Sequence, residues 1–117
     1  MDFQTARQFN LMQTVTPALD QEPFIERLRQ GQPPIPGQVT SLLLALKVVT
    51  EGLRREPTLE RALAHALFVL SYESRQCYLK GQRSQQTEWP PMLDEDLERI
   101  AQAVEAILTD LPAETQT

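Results

Sequence analysis

Residues 38–54 read QVTSLLLALKVVTEGLR, a stretch that is apolar on nearly every side when it is drawn as a helix. Apolar residues recur along it at intervals of three and four, the spacing of one face of an α-helix. That stripe consists of Val39, Leu42, Leu46, Val49 and Leu53. Leu43, Leu44 and Val48 extend the apolar surface around most of the circumference, which is typical of a central helix. We therefore predict a buried central helix with the rest of the chain packed around it.

Two shorter helices are predicted before this stretch. Asp2 is placed to cap the first one, which runs to about Met12 and is broken by residues 14–17. Asp20 opens the second helix, and Gly31 is well placed to end it because glycine adopts the left-handed conformation of a helix terminus. The apolar stripe of the second helix consists of Phe24, Ile25 and Leu28.

Two longer helices are predicted after it. The fourth helix starts at Pro57 and Thr58 and runs to about Lys80, before Gly81. Its core face consists of Leu59, Ala62, Leu63, Ala66, Leu67, Leu70, Ser74 and Cys77. The fifth helix starts at Asp94 as its cap, with acidic residues in its first turn, where the helix dipole favours them. Its apolar ladder consists of Leu97, Ile100, Ala101, Val104, Ile107, Leu108 and Leu111.

No stretch alternates apolar and polar residues in the way that a strand does, so the prediction contains helices only. Helices joined by short loops pack as a bundle around one core. We predict an all-α, single-domain, irregular bundle of about five helices. The helical domain is predicted over residues 1–111, and residues 112–117 are predicted to be a disordered C-terminal tail.

The two proline-rich loops receive different interpretations. Prolines in residues 32–36 favour a stiff, extended connector that sets the angle between the second and third helices, with Ile35 tucked into the core. The second loop, residues 81–92, contains Trp89, the only tryptophan, followed by two prolines. A tryptophan in a polar loop either plugs the core from outside or anchors a partner, and both readings stay open.

Composition argues against several classes of function. The net charge of −5 argues against nucleic acid as a partner, because phosphates require a concentrated basic surface. Cys77 is the only cysteine, so no disulfide can form within the chain. His65 is the only histidine, so no pair of histidines is available to bind a metal ion. No phosphate-binding glycine motif is present. We predict a non-enzymatic protein without cofactor or metal. With no secretory signal and no membrane-spanning stretch in the sequence, we also expect a soluble, cytoplasmic protein.

One stripe on the fourth helix stands out because it is aromatic where a polar surface is expected. Arg61, His65, Phe68 and Tyr72 follow one another at i, i+4, i+7 and i+11, opposite the leucine-rich face. Either a neighbour such as the first helix covers this stripe, or the stripe is an uncovered groove for a partner.

Three functional hypotheses follow from these residues. The first is a binding module that holds a peptide or helix of another protein at His65, Phe68 and Tyr72, with Trp89 at the rim. The second is a small-ligand or catalytic site in which His65, Glu73 and Arg75 converge. The third is self-association through the same aromatic stripe across a two-fold axis.

Three blocks of the chain together resemble a small all-helical family found in cyanobacteria. They are GQPPIPGQVTSLLLALKVV (residues 31–49), LERALAHALFVLSYESRQ (59–76) and WPPMLDEDLERIAQAVEAIL (89–108). The resemblance implies an accessory or assembly factor of the photosynthetic or carbon-fixation machinery. A chaperone of carboxysome shell proteins that clasps a short extended tail of its client is one candidate. The resemblance rests on the general character of these three blocks and assigns no role to any individual residue.

Overall fold

The computed structural model describes residues 1–15 and 22–110, and all regular structure in them is helical. The elements are α1 (Phe3–Met12), α2 (Phe24–Arg29), α3 (Gln38–Gly52), α4 (Arg61–Phe68), a π-helical segment (Val69–Glu73), α5 (Ser74–Ser84) and α6 (Leu93–Thr109). Because α4, the π-helical segment and α5 follow one another without interruption, we call residues 61–84 the long helix. The described chain is thus an all-α bundle of five helices, which confirms the predicted fold class.

Several sequence predictions concern residues that the structure does not describe. The predicted cap Asp20, the last residue of the apolar ladder, Leu111, and the predicted tail at residues 112–117 lie outside the described ranges.

Helix α3 occupies the centre of the bundle, as its sequence predicts. It packs against α1 on one side and α6 on the other. Its fully buried residues Leu42, Leu46 and Val49 belong to one large core cluster that draws side chains from α1, α2, the long helix and α6. Leu44, in contrast, is 49% exposed, so the apolar surface of α3 is not covered all round.

The two helices at the N-terminal end show the predicted local signals. The Asp2 carboxylate caps α1 by accepting a hydrogen bond from the Thr5 backbone N–H at 2.8 Å. The stripe of α2, which consists of Phe24, Ile25 and Leu28, is fully buried. Gly31 follows α2 with a φ of +73°, the left-handed conformation that terminates a helix without a steric penalty.

The first proline loop is a tethered connector, but the prediction that Ile35 enters the core is wrong. Ile35 is 39% exposed. The space beneath the loop holds an amide pair instead, because the side-chain Nε2 of Gln38 donates to Oε1 of Gln13 at 2.9 Å and both residues are buried. The loop is tied to α2 by Arg27, whose Nε donates to the Pro33 carbonyl at 2.6 Å.

The long helix differs from its predicted bounds at both ends. It begins at Arg61 rather than at Pro57, since the backbone of the preceding residue, Glu60, is not helical (φ −57°, ψ 132°). The Glu60 side chain pairs with Arg7 of α1. It also continues through Gly81 to Ser84 instead of stopping. Gly81 is needed there for space, because a Cβ at this position would lie 2.6 Å from the ring of Trp89.

Helix α6 carries the predicted ladder but not the predicted cap. Leu97, Ile100 and Val104 are buried in the core, whereas Leu108 is exposed. The helix begins at Leu93, one residue before the predicted cap Asp94, and no side chain caps its first turn. Asp94 therefore lies inside the first turn rather than at the cap position, and its carboxylate pairs with Arg75 of α5 at 2.5 Å.

Candidate functional site

The most unusual surface of the described protein is an exposed pair of aromatic side chains on the outer face of the long helix. Phe68 is 50% exposed and Tyr72 is 53% exposed. Their ring centroids lie 5.1 Å apart with an angle of 25° between the ring planes, so the rings are stacked. We call these two residues the aromatic pair. Stacking removes part of each ring from water but leaves the outer faces free to contact another molecule.

The alternative in which α1 covers the aromatic pair is wrong. Helix α1 packs against α3 and against α4, and Arg7 of α1 reaches Glu60, immediately before the long helix begins. On α4 the residues that face inward are Leu63, Ala66 and Leu67. The aromatic pair therefore lies on the side of the helix that points away from the core.

The π-helical segment sets the orientation of the residues around the aromatic pair. In this wide turn the backbone N–H of Ser74 donates to the Val69 carbonyl, five residues back. The Leu70 carbonyl, which this N–H would reach in an α-helix, accepts a hydrogen bond from the buried Ser74 hydroxyl instead. Val69 and Leu70 both point inward and are buried, while Phe68 and Tyr72 stay outside. Such wide turns inside α-helices often occur at functional sites.

The aromatic pair belongs to a continuous exposed line along the long helix, which we call the outer spine. It consists of Arg61, His65, Phe68, Tyr72, Gln76, Leu79 and Arg83, all of which are exposed. The spacing of three and four residues places them on one side of the helix. Of the predicted binding residues, the structure thus brings His65, Phe68 and Tyr72 onto one surface.

Trp89 lies elsewhere, in a half-buried position against α5. Its indole N–H donates to the Tyr78 carbonyl at 2.9 Å, and its ring stacks on Tyr78 with centroids 6.0 Å apart. The guanidinium of Arg75 lies 5.3 Å from the centroid of the same Tyr78 ring. Tyr78 follows Tyr72 by six residues, which places the two on different sides of the helix. Of the two readings for Trp89, these contacts favour the one in which it closes the core from outside.

The second hypothesis requires His65, Glu73 and Arg75 to converge on one site, and their side chains do not converge in the structure. The Glu73 carboxylate accepts from Arg29 of α2 at 3.2 Å. The Arg75 guanidinium binds Asp94 of α6, on another side of the long helix. His65 is exposed on α4. In residues 1–15 and 22–110 no group of histidine, cysteine and acidic side chains is arranged to hold a metal ion.

Two open clefts lie away from the aromatic pair. One of about 480 Å³ lies between the end of α1 and the first proline loop, lined by Phe9, Ile35 and the Gln13–Gln38 amide pair. Sequence reasoning missed this amide pair, since two glutamines 25 residues apart give no local signal. Another cleft, of about 280 Å³, lies between α2 and α5 and includes Cys77. Burial raises the pKa of the Cys77 thiol, so this cysteine is a poor nucleophile at neutral pH.

Comparisons of the chain with protein-family models, with curated proteins and with solved structures find no match. Among the described helices, none has the length and apolar character needed to cross a membrane.

Proposed function

We propose that this protein is a non-enzymatic binding module that holds a segment of another protein on the outer face of its long helix. The observation that carries this proposal is the aromatic pair, two stacked side chains of which about half remains in contact with water. Aromatic residues are enriched among the anchors of protein interfaces, because they bury a large area at a small cost in conformational entropy.

The state of the polar side chains also favours binding over catalysis. Glu73 and Arg75, the residues that a catalytic site at this position would use, are each engaged with a different helix. General acid–base chemistry requires groups that converge on one reacting atom, and these two point to separate partners. The aromatic pair needs no such convergence, because apolar contact is not directional.

A role as an adaptor or assembly chaperone is consistent with a surface of this kind. The resemblance to the cyanobacterial family adds the prediction that the partner belongs to the photosynthetic or carbon-fixation machinery. Identification of the partner tests that prediction together with the proposed function.

The proposal is tested by crosslinking at the aromatic pair. A photoreactive phenylalanine analogue is introduced at Tyr72, and in a second protein at Leu44, which lies on α3 and is exposed to a similar degree (49% against 53%). After irradiation in lysate of the source organism, we expect a crosslinked protein partner from position 72 and none from position 44. Mass spectrometry of the crosslinked band identifies the partner.

A matched pair of variants completes the test. Phe68→Ser combined with Tyr72→Ser removes the aromatic pair, and Leu44→Ser removes an equally exposed apolar side chain. Both proteins should keep a thermal midpoint within about 4 °C of the wild type, because exposed side chains contribute little to stability. Capture of the partner should fall by about tenfold or more in the first variant only. Equal capture by both variants, or equal crosslinking from both positions, contradicts the proposal.

Self-association is the alternative that uses the same surface. It requires two aromatic pairs to meet across a two-fold axis. Sedimentation equilibrium distinguishes the alternatives: a dimer that becomes a monomer in the Phe68→Ser, Tyr72→Ser variant supports self-association, whereas a monomeric wild type supports a different partner.

A further inference from the structure

The net charge of the long helix is positive, whereas the net charge of the whole chain is negative. Residues 61–84 contain four arginines and lysines but only one acidic residue, in a chain whose net charge is −5. The basic residues are Arg61, Arg75, Lys80 and Arg83, and the acidic residue is Glu73. The helix that carries the aromatic pair is therefore net basic in an acidic protein.

Two of these charges are neutralised within the bundle and three are not. Glu73 is paired with Arg29, and Arg75 is paired with Asp94. None of the ion pairs among the described residues includes Arg61, Lys80 or Arg83. The outer spine thus has an apolar centre, an uncompensated arginine at each end and no acidic side chain of its own.

The shape of the outer spine matches another helix. Its members are separated by four, three, four, four, three and four residues, which is close to the repeat that two packed helices share. From Arg61 to Arg83 the spine extends over about 33 Å at roughly 1.5 Å per residue. One common way in which an extended peptide binds is by adding a strand to a sheet edge, and the described part of this protein has no strand to which it could pair.

From these observations we infer that the partner segment is an acidic amphipathic helix. Its apolar side would seat on Phe68, Tyr72 and Leu79, and its acidic side chains would lie near Arg61 and Arg83. This inference depends on the proposed function, since it names the partner chemistry of the same surface. Charge complementarity of this kind raises the association rate and rejects basic partners.

A second copy of the chain is a poorer match for the outer spine. Its own acidic helix, α6, already buries its apolar side, including Leu97, Ile100 and Val104, in the core of the bundle. A second copy that docked through α6 would therefore offer only the polar side of that helix to the aromatic pair. One that docked through its own outer spine would bring the like charges of Arg61 and Arg83 together.

The experiment uses two synthetic amphipathic peptides with the same leucine positions, one with glutamates and the other with lysines at all polar positions. Binding to the whole protein is measured by fluorescence anisotropy of the labelled peptides. We expect the glutamate peptide to bind at least about tenfold more tightly than the lysine peptide. We also expect binding to weaken as the salt concentration rises from about 0.05 M to about 0.3 M, because salt screens exposed charges. Amide chemical shifts should change along residues 61–84.

Charge-reversal variants make the test specific. Arg61→Glu combined with Arg83→Glu should weaken binding of the glutamate peptide by about tenfold and strengthen binding of the lysine peptide. Lys47→Glu, on α3, combined with Arg54→Glu, just beyond the end of α3, makes the same change of net charge at two other exposed residues, and should alter either affinity less than about twofold. Circular dichroism of both variants checks that the fold is kept.

Several outcomes overturn the inference. They are equal binding of the two peptides, no effect of the Arg61 and Arg83 reversals, shifts that map outside the long helix, and preferential binding of a single-stranded oligonucleotide over the glutamate peptide. A dimer formed through this face by the protein alone also overturns it. A third result separates this inference from the proposed function. If the Phe68→Ser, Tyr72→Ser variant no longer captures the crosslinked partner but the Arg61→Glu, Arg83→Glu variant still captures it fully, the proposed function stands and only the acidic-helix inference fails.

Discussion

Gly81 and Trp89 show how one small residue and one large residue depend on each other. The long helix passes through Gly81, although glycine is a poor helix former, and the Trp89 ring occupies the space that a Cβ at this position would need. The tryptophan is held there by the hydrogen bond from its indole N–H to the Tyr78 carbonyl. The glycine is therefore retained for space rather than for backbone freedom.

We predict that Gly81→Ala destabilises the protein by about 1–3 kcal/mol, as overpacking of a well-filled site usually does. The added Cβ would lie 2.6 Å from the tryptophan ring and must displace it. This cost opposes a gain of up to about 1 kcal/mol from the better helix propensity of alanine. Urea denaturation measures the free energy of unfolding, and a red shift of the tryptophan fluorescence reports the displacement.

The control for this prediction is the same substitution in a Trp89→Leu background. There the added methyl group meets a smaller and more flexible side chain, so Gly81→Ala should cost less than in the wild type. An increase in stability from Gly81→Ala in the wild-type background contradicts the packing argument.

At the scale of elements, one ion pair connects α1 to the beginning of the long helix. Arg7 and Glu60 are 53 residues apart in sequence, and their charged groups approach to 2.5 Å with two hydrogen bonds. Hydrogen bonding to Arg7 lowers the pKa of the Glu60 carboxyl below its ordinary value of 4.5. The pair orients α1 on α4 without covering the aromatic pair.

We predict that Arg7→Gln raises the pKa of the Glu60 carboxyl toward its ordinary value, as measured by carbon NMR of the carboxyl group. Because the pKa of this carboxyl is lower in the folded state than in the unfolded state, its stabilising effect is complete above about pH 4.5 and is lost as the pH falls through the folded-state value. The difference in unfolding free energy between wild type and Arg7→Gln should therefore shrink as the pH falls below that range.

Arg54→Gln serves as the control for this titration. It removes an arginine that pairs with Glu51 within one stretch of chain and does not contact Glu60. The Glu60 titration should be unchanged in this variant. A Glu60 pKa that is the same in wild type and Arg7→Gln would show that the pair does not persist in solution.

At the scale of the whole molecule, the buried side chains of the described residues form one cluster. Side chains from α1, α2, α3, the long helix and α6 all contribute to it, and Trp89 packs against its edge. A single cluster of this kind leaves no part of the bundle with a separate core. Small domains built in this way usually unfold in one cooperative transition.

We therefore predict that thermal unfolding followed by circular dichroism at the helix band and by tryptophan fluorescence gives coincident transitions. The first signal reports all helices, and the second reports the contact of the second proline loop with α5. A fluorescence transition at lower temperature than the loss of helix would mean that the loop detaches on its own, which contradicts a single cooperative unit.

The sequence predicted the parts of this fold that depend on local spacing. The ladder of Leu97, Ile100 and Val104 follows from helical periodicity, and the cap at Asp2 and the stop at Gly31 follow from backbone chemistry within a few residues. The all-α class itself follows from the same periodicity. Asp94 and Gly81 do not have the helix-terminating roles that local spacing predicts, and each contacts a side chain outside its own turn, Arg75 or Trp89, that local spacing does not reveal.

The aromatic stripe marks the boundary between what spacing determines and what packing determines. The sequence alone placed His65, Phe68 and Tyr72 on one side of a helix, because residues three and four apart share a face. Whether that side meets α1 or water depends on how helices far apart in the chain pack, which local spacing does not encode. In the tertiary structure the aromatic pair is uncovered, Trp89 stacks on Tyr78, and Ile35 lies outside the core. Each of these outcomes rests on contacts between residues that are distant in sequence, and such contacts exist only once the helices have packed.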